Sequence, residues 1–437
     1  MNTLANGYFA THDLARLGRM LRTGEVTATE LVEQSIKTIE EMNPTLNAFV
    51  SIDAEARRAA QRAHAELAEG VDRGPLHGIP VGVKDLVDIE GLPTTAGSAS
   101  SFGATATEDA EVVRRLREAG AVIVGKTTLH EFAYGATGDR SVHGASRNPA
   151  DPSRMSGGSS GGSAVAVAAG MVPLAIGTDT AGSVRVPAAL CGIVGLKPTY
   201  DAISSKGVSP LAPSLDHVGL FATTVAGVRI GYEALTERPM DGRGSGFEVG
   251  WIPPGDIAVT DPRIERLTRG LLDRSGLAVE VVHGFSRTQS WFEVFSALQG
   301  FEAFRVHEHH LDRDRDVIDP EVLARLDAGR QVSAARHAEA EEARRELRAM
   351  VGELLRVYDV LVLPTVPIVA PAVGERNVRV AGHDLEVRSA LLSLTSPWNL
   401  TGLPAVSVPA GHVDNLPVGI QLLAASERTL FAAAMAL

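Results

Sequence analysis

The chain has 437 residues, 44% of them hydrophobic, enough for one large core or two modest ones, and one large α/β domain is the better fit. Its 53 Asp and Glu against 41 Lys and Arg leave a net charge of −12, which offers nucleic acid no basic stripe; the arginines from Arg330 to Arg356 alternate with glutamates as on a solvated helix. The single cysteine, Cys191, excludes an internal disulfide framework. No signal-like N-terminal segment and no apolar run of membrane length occurs, so a soluble cytoplasmic protein without a membrane partner is expected.

In chain order, Thr27-Ala28-Thr29-Glu30 is a capping box that opens an amphipathic helix over Thr27–Met42, and Asp53–Glu69 has the same 3.6-residue apolar period. Ile79–Lys84 reads as an apolar strand in which Lys84 takes the place of the next hydrophobe, so this lysine either snorkels from the strand end or is buried for a purpose. A helix over Asp109–Ala119 precedes a strand at Ala121–Val124. The letters from Gly120 to Thr127 spell the phosphate-binding pattern G-x-x-x-x-G-K-T, but the residues between the glycines are themselves the strand, so nucleotide binding is not expected; Lys126 and Thr127 are expected at a strand end near the mouth of the site or in support of its loops.

The run from Ser156 to Arg185 carries the chemistry. Ser156–Gly162 holds four glycines in seven residues, a loop whose backbone can approach a ligand closely. Ser163–Ala169 has neither charge nor bulk and predicts a thin buried helix ended by Gly170, followed by a buried strand at Val172–Ile176. The next turn, Gly177–Ser183, leads into a helix with Pro187 in its first turn. It therefore aims the N–H groups of Thr180, Ala181, Gly182 and Ser183 at one point, where they can donate to a developing oxyanion. None of the thirteen histidines follows the order of a Ser-Asp-His hydrolase; His77, His130, His143 and His217 fall where surface or pocket-lining roles are expected, and Lys84 is the better base.

These segments resemble the amidase signature hydrolases: GIPVGVKD around Lys84, GGSSGGS at 157–163, DTAGSVR at 179–185, and further likenesses up to the closing GLPAVSVP and PVGIQLL. The resemblance implies a single large α/β domain with a central mixed, twisted sheet covered by helices on both faces. It implies Ser183 as nucleophile, Ser159 as the bridging hydroxyl behind a cis Gly158–Ser159 peptide, and Lys84 as the terminal base. Ala181 stands where many members have glycine. The chain then divides into N-terminal helices (1–70), a catalytic core (71–225), a substrate-side segment (226–357) and a return to the core (358–437). Within the last two, helices are expected at Val225–Leu235 and Arg263–Ser275, strands at Val249–Ile252 and Leu277–Val282, long helices inside Ser290–His310 and Pro320–Val357, and a strand at Val360–Leu363; Arg243–Gly246 reads as a linker.

An ordinary lysine is neutral in only about one molecule in 2,500 at pH 7, so this base requires burial, and activity should rise from acid pH to an alkaline plateau. Tyr134, Met155 and Trp398 are the pocket candidates, alongside Phe132, Trp291 and Phe295. Trp398 leads them because 396–399 reads as a proline-bearing loop. With no evident arginine clamp, the expected substrate is a small or medium neutral amide, an aryl amide, carbamate or ester being open. No cofactor or metal is called for, and a homodimer is left open. Competing readings are the glutaminase subunit of a tRNA-dependent amidotransferase, disfavoured by the short middle segment, a urea-derivative hydrolase of allophanate or biuret type, and a silent binding protein on the same scaffold.

Overall fold

The computed structural model describes residues 7–100, 105–240, 246–282, 285 and 291–437. Fifteen strands are present among them: β1 (Phe49–Ile52), β2 (Pro80–Lys84), β3 (Val122–Thr127), β4 (Arg147–Asn148), β5 (Asp151–Met155), β6 (Leu174–Thr178), β7 (Val194–Lys197), β8 (Val218–Ala222), β9 (Glu248–Trp251), β10 (Ala278–Val281), β11 (Val360–Pro364), β12 (Asn377–Val380), β13 (His383–Glu386), β14 (Ala405–Val413) and β15 (Leu416–Ala424). Eleven form one sheet in the order β1-β3-β2-β6-β8-β7-β14-β15-β11-β9-β10. The sheet is mixed: β3, β2 and β6 run parallel, β8, β7, β14 and β15 pair antiparallel, and β11, β9 and β10 are parallel again.

The central strands β2, β6, β7 and β8 are buried along their whole length, as helices on both faces of a sheet require. That burial is why they read as continuous apolar runs. The helix Gly161–Ala168 is the expected buried rod between the two serine loops, with Gly170 at φ 69° behind it. Its Gly162 has no room for a side chain: a Cβ there would lie 2.4 Å from Ala48 O and 2.5 Å from Thr128 N. No helix among the described residues is long and apolar enough to cross a membrane.

Several boundaries differ from expectation. The capping box at Thr27 is present, but its helix runs on through Pro44 to Leu46 and stops at Asn47, whose φ of 50° breaks the hydrogen-bond ladder. The long helix expected in Pro320–Val357 is two, Pro320–Arg330 and Ala334–Val357, the second capped by the Ser333 side chain accepting from Arg336 N. The break falls at 331–333, where Ser333 is extended (φ −71°, ψ 157°), and just before it Gly329 lies so close to Gly300 of the helix Trp291–Asp314 that a Cβ would come within 2.2 Å of Gly300 O. The loop expected at 396–399 belongs instead to a helix, Ser396–Thr401, with Pro397 in its first turn. Most of the Arg243–Gly246 linker lies outside the described residues.

Candidate active site

Lys84 ends β2 and Thr178 ends the neighbouring parallel strand β6, so both side chains emerge at the same edge of the sheet. Lys84 is fully buried, and its Nζ donates to Ser159 Oγ at 2.7 Å and to Thr178 Oγ1 at 2.8 Å. Burial lowers its pKa to about 7, and the carboxylates of Asp216 and Asp179 limit the fall. The Gly158–Ser159 peptide is cis. Ser159 O accepts from His130 N at 3.0 Å, and Ser160 N donates to Ser183 O at 3.2 Å, which ties the glycine loop to the second serine turn.

Ser183 sits between the end of β6 and the helix Arg185–Cys191. Its Oγ makes no hydrogen bond among the described residues, so the structure brings Lys84 and Ser159 into contact and leaves Ser183 beside them with its hydroxyl uncommitted. The turn before it is held by Asp179, whose carboxylate accepts from Gly182 N at 2.8 Å and Val184 N at 3.2 Å. This corrects the expected set of oxyanion donors: the Gly182 N–H is already committed. The N–H groups of Thr180, Ala181 and Ser183 have no partner among the described residues. Gly182 is required for its shape instead, with φ 126° and Thr395 Oγ1 only 2.2 Å from where a Cβ would stand. Ala181 needs no positive φ, so the methyl group there brings no backbone strain.

Asp179 is fully buried against the equally buried Arg185, whose Nη2 and Nε lie 2.9 and 3.0 Å from the carboxylate. Burial by itself pushes the Asp179 carboxyl up; Arg185, then Lys197 and Asn399, reverse the push and hold it well below the usual range. The remaining Arg185 donors go to Thr395 O, Gln421 Oε1 and Asn399 Oδ1, so the turn is anchored to the C-terminal part of the chain. Asp216 supports the same turn from the other side, accepting from Thr180 Oγ1 at 2.6 Å and from the N–H groups of Leu211 and Ala212. Burial raises its pKa to about 6.

No histidine ring among the described residues is hydrogen-bonded to Ser159 or Ser183. His217 is buried with Nδ1 within 2.6 Å of Leu215 O and 3.2 Å of Asp179 O, and burial holds it far below its ordinary pKa, as it does His130. His77 pairs with Glu66, and His143 reaches Thr95. The other buried lysine of the decoy motif, Lys126, donates to Val87 O and Thr94 Oγ1 and pairs with Asp85 at 3.3 Å, bracing the segment that follows Lys84.

A cavity of about 140 Å³ backs onto the site, its wall including Ala133, Thr178, Thr180, Leu211, Asp216 and His217. A larger hollow of about 570 Å³ beside Arg58, Glu66 and His77 lies at the opposite end of β2 and β3 and has no part in this chemistry. None of the three leading pocket candidates lines the smaller cavity. Trp398 is a core residue, buried in its helix with Nε1 donating to Leu394 O at 2.7 Å; this corrects its assignment to a substrate-facing loop. Met155 is buried in β5, where its N–H donates to Pro371 O. Tyr134 is buried next to Ala133, with the guanidinium groups of Arg325 and Arg388 over its ring at 5.8 and 5.9 Å from the centroid. The groups that sequence reasoning missed are Thr178, Asp216, Asn399 and the Asp179–Arg185 pair. Only the last carried a signal, as the two ends of the DTAGSVR segment. Among the described residues Glu302, His337 and Glu341 form a cluster of metal-ligating types, but Glu302 is engaged by Ser214 N at 2.9 Å and Glu341 lies 3.3 Å from Arg344.

The family model for amidases matches residues 30–245 and 276–429. The AtzE subunit of the 1-carboxybiuret hydrolase of Pseudomonas sp. (strain ADP) is 37% identical over 429 residues, covering 93% of each chain. A glutamyl-tRNA(Gln) amidotransferase subunit from Methanothermobacter thermautotrophicus is 35% identical over 436 residues, 93% of this chain and 94% of that one. A crystal structure of an amidase superposes with a TM-score of 0.91 at 36% identity, covering 97% and 98% of the two chains. With the buried lysine, the cis serine and the second serine turn in place, the chain belongs to the amidase signature family, hydrolases that act on amide C–N bonds.

Proposed function

We propose that the protein hydrolyses a small-molecule amide through an acyl-enzyme on Ser183. Neutral Lys84 accepts the proton of Ser159 Oγ as Ser159 takes that of Ser183 Oγ, and the Ser183 oxygen attacks the carbonyl carbon. The carbonyl oxygen, now negative, receives the N–H groups of Thr180, Ala181 and Ser183. The C–N bond breaks as the proton returns from Lys84 through Ser159 to the leaving nitrogen. Water, deprotonated by the same relay, then attacks the Ser183 ester and releases the acid. The Ser183 hydroxyl has to turn toward Ser159 for the first step, a tightening expected when substrate binds.

The observation that carries this reading is the buried Lys84 amine held between two hydroxyls, with its pKa brought to about 7. A fluorophosphonate should label Ser183 covalently, read by peptide mass, with labelling abolished in Ser183→Ala and strongly slowed in Lys84→Ala. Label on another residue would sink the assignment. The silent-scaffold reading fails by the same experiment if Ser183 reacts.

A second reading is favoured by the relatives: both are named as subunits, one of a glutamyl-tRNA(Gln) amidotransferase. The short middle segment loses its weight against this, because the chain covers 94% of that amidotransferase subunit. Glutamine turnover that appears only with a co-purifying second chain would select it. Carboxybiuret turnover would select the urea-derivative reading. The expectation of a neutral substrate rests on the lack of an arginine clamp, and the two guanidinium groups over Tyr134 remove that ground.

A further inference from the structure

The segment 130–135 leads from β3 to the catalytic glycine loop, and Tyr134 sits near its end. The neighbours of Tyr134 both touch the site: Ala133 lines the cavity with Thr178 and Thr180, and Gly135 O lies 3.2 Å from where a Cβ on Gly158 would stand. Tyr134 itself carries two cations. Arg325 Nη1 donates to its carbonyl oxygen at 2.7 Å, and Arg388 lies over its ring and over that of Phe292, 6.0 Å from the second centroid.

The charges around this pair do not balance in the way buried charges usually do. Arg376 takes both oxygens of Asp139 and one of Glu321; Arg140 takes the same Glu321 oxygen and approaches Asp319 at 3.9 Å. Arg325 is thus the third cation on Glu321, at 3.5 Å. Glu386 is engaged by the N–H groups of Arg388 and Ser389 at its own helix start. Arg388 has no carboxylate within ion-pair distance among the described residues. Its Nη2 reaches only the neutral Gln299 Oε1 at 3.2 Å, and its Nε is buried with no partner. Burial, and after it the neighbouring Arg388, bring the Arg325 pKa down to about 10. A guanidinium offers a planar fork of donors that a carboxylate matches with two parallel hydrogen bonds, and the half-buried Arg388 has no counter-charge among the described residues.

We infer that Arg388, backed by Arg325, is the binding site for a carboxylate on the substrate, so that the protein acts on amides bearing an acid group rather than on neutral ones. The inference rests on the acyl-enzyme reading above and deepens it. Chemically, the acyl carbon faces Ser183 while the far carboxylate takes the Nη1 donors of Arg388, which no described residue occupies. The two cations also raise the local concentration of an anionic substrate.

The test compares malonamate, succinamate and glutaramate with propionamide, butyramide and valeramide, the neutral amides of matching length. At least one acidic member should exceed its neutral counterpart in kcat/KM by about tenfold or more, and Arg388→Gln should cut that preference by about tenfold. Arg388→Lys, which keeps the charge without the fork, should retain part of it. Succinate should inhibit the wild type competitively and Arg388→Gln much less, whereas inhibition by phosphate alone would mean a generic anion site and overturn the substrate assignment. Equal rates for acidic and neutral amides, or a preference untouched in Arg388→Gln, would also overturn it. Fluorophosphonate reaction at Ser183, followed in the same samples, separates a folded variant from a collapsed one. A wild type that labels and turns over only neutral amides refutes this inference and leaves the acyl-enzyme reading standing; a wild type that neither labels nor turns over any amide refutes both.

Discussion

The pH dependence of turnover follows from Lys84 and the groups around it. Burial brings its pKa to about 7, and the neutral amine is the active form, so the rate rises as pH rises through that value. About a tenth of the molecules carry the neutral amine at pH 6 and about nine-tenths at pH 8, so kcat/KM for an amide without titrating groups should climb about ninefold to tenfold between them. Two carboxylates oppose the effect of burial, Asp216 foremost and then Asp179. Asp179 is held ionised by Arg185, but Asp216, raised to about 6 by burial, loses its charge within the measured range. As pH falls through about 6, protonation of Asp216 relieves Lys84 of a stabilising anion and lowers the lysine pKa, so the acid limb should be shallower than a single ionisation. Asp216→Asn removes that anion at every pH. Its limb should move to lower pH and steepen toward one proton, whatever happens to the plateau through the lost contacts to Thr180, Leu211 and Ala212. Initial rates from pH 5 to 9 on both proteins decide it. A rate that falls between pH 6 and 8, or a limb that moves upward in Asp216→Asn, would refute the neutral-lysine base.

Ser183→Ala should lose at least about 10⁴-fold in kcat, read by product formation at high enzyme concentration, because members of such a relay act as a unit. Arg185→Met should lower unfolding stability by about 3–5 kcal/mol in urea titration, since it strands the buried Asp179 carboxylate. Gly182→Ala should cost about 10²–10³-fold in kcat, because its Cβ would meet Thr395 Oγ1 and displace the Thr180 and Ala181 donors. An unimpaired Gly182→Ala would disprove the oxyanion geometry.

What is legible in the sequence is local. Lys84 stands out as a charge closing an apolar strand, and the two glycine-serine turns stand out by composition, so the strand ends at β2 and β6 and the three functional side chains follow from neighbours in sequence. Three kinds of feature do not. Asn399, Gln421 and Thr395 meet Arg185 from more than two hundred residues away, and no local pattern reports such a contact. Gly182 reads as an oxyanion donor in the sequence because nothing there marks its N–H as occupied. Yet the Asp179 carboxylate reaches forward three residues to accept from it, a local side-chain-to-backbone bond that the D-x-x-G spacing offers as a signal. Pro397 reads as the mark of a loop, although proline fits the first turn of a helix as well as it fits a turn, and only the burial of Trp398 distinguishes the two. The break between Arg330 and Ala334 is likewise invisible in the apolar period; it falls at the extended Ser333, whose side chain caps the second helix.

Burial alone does not make a lysine a base, and this protein contains the internal comparison. Lys84, Lys126 and Lys197 are all buried, and burial lowers the pKa of each, Lys197 also to about 7. Their partners differ in kind. Lys197 Nζ donates to the carbonyl oxygens of Pro198 and Leu403, and Lys126 Nζ donates to Val87 O and Thr94 and pairs with Asp85. Carbonyl and carboxylate oxygens accept but carry no hydrogen to give, so a neutral amine facing them has no proton to take from them. Both partners of Lys84 are hydroxyls. A hydroxyl accepts from the ammonium and donates to the amine, so both charge states of Lys84 keep their hydrogen bonds and a proton can pass along Ser159 without stranding either group. The chemistry at this site therefore depends on the type of oxygen facing the lysine as much as on the depth at which the lysine lies.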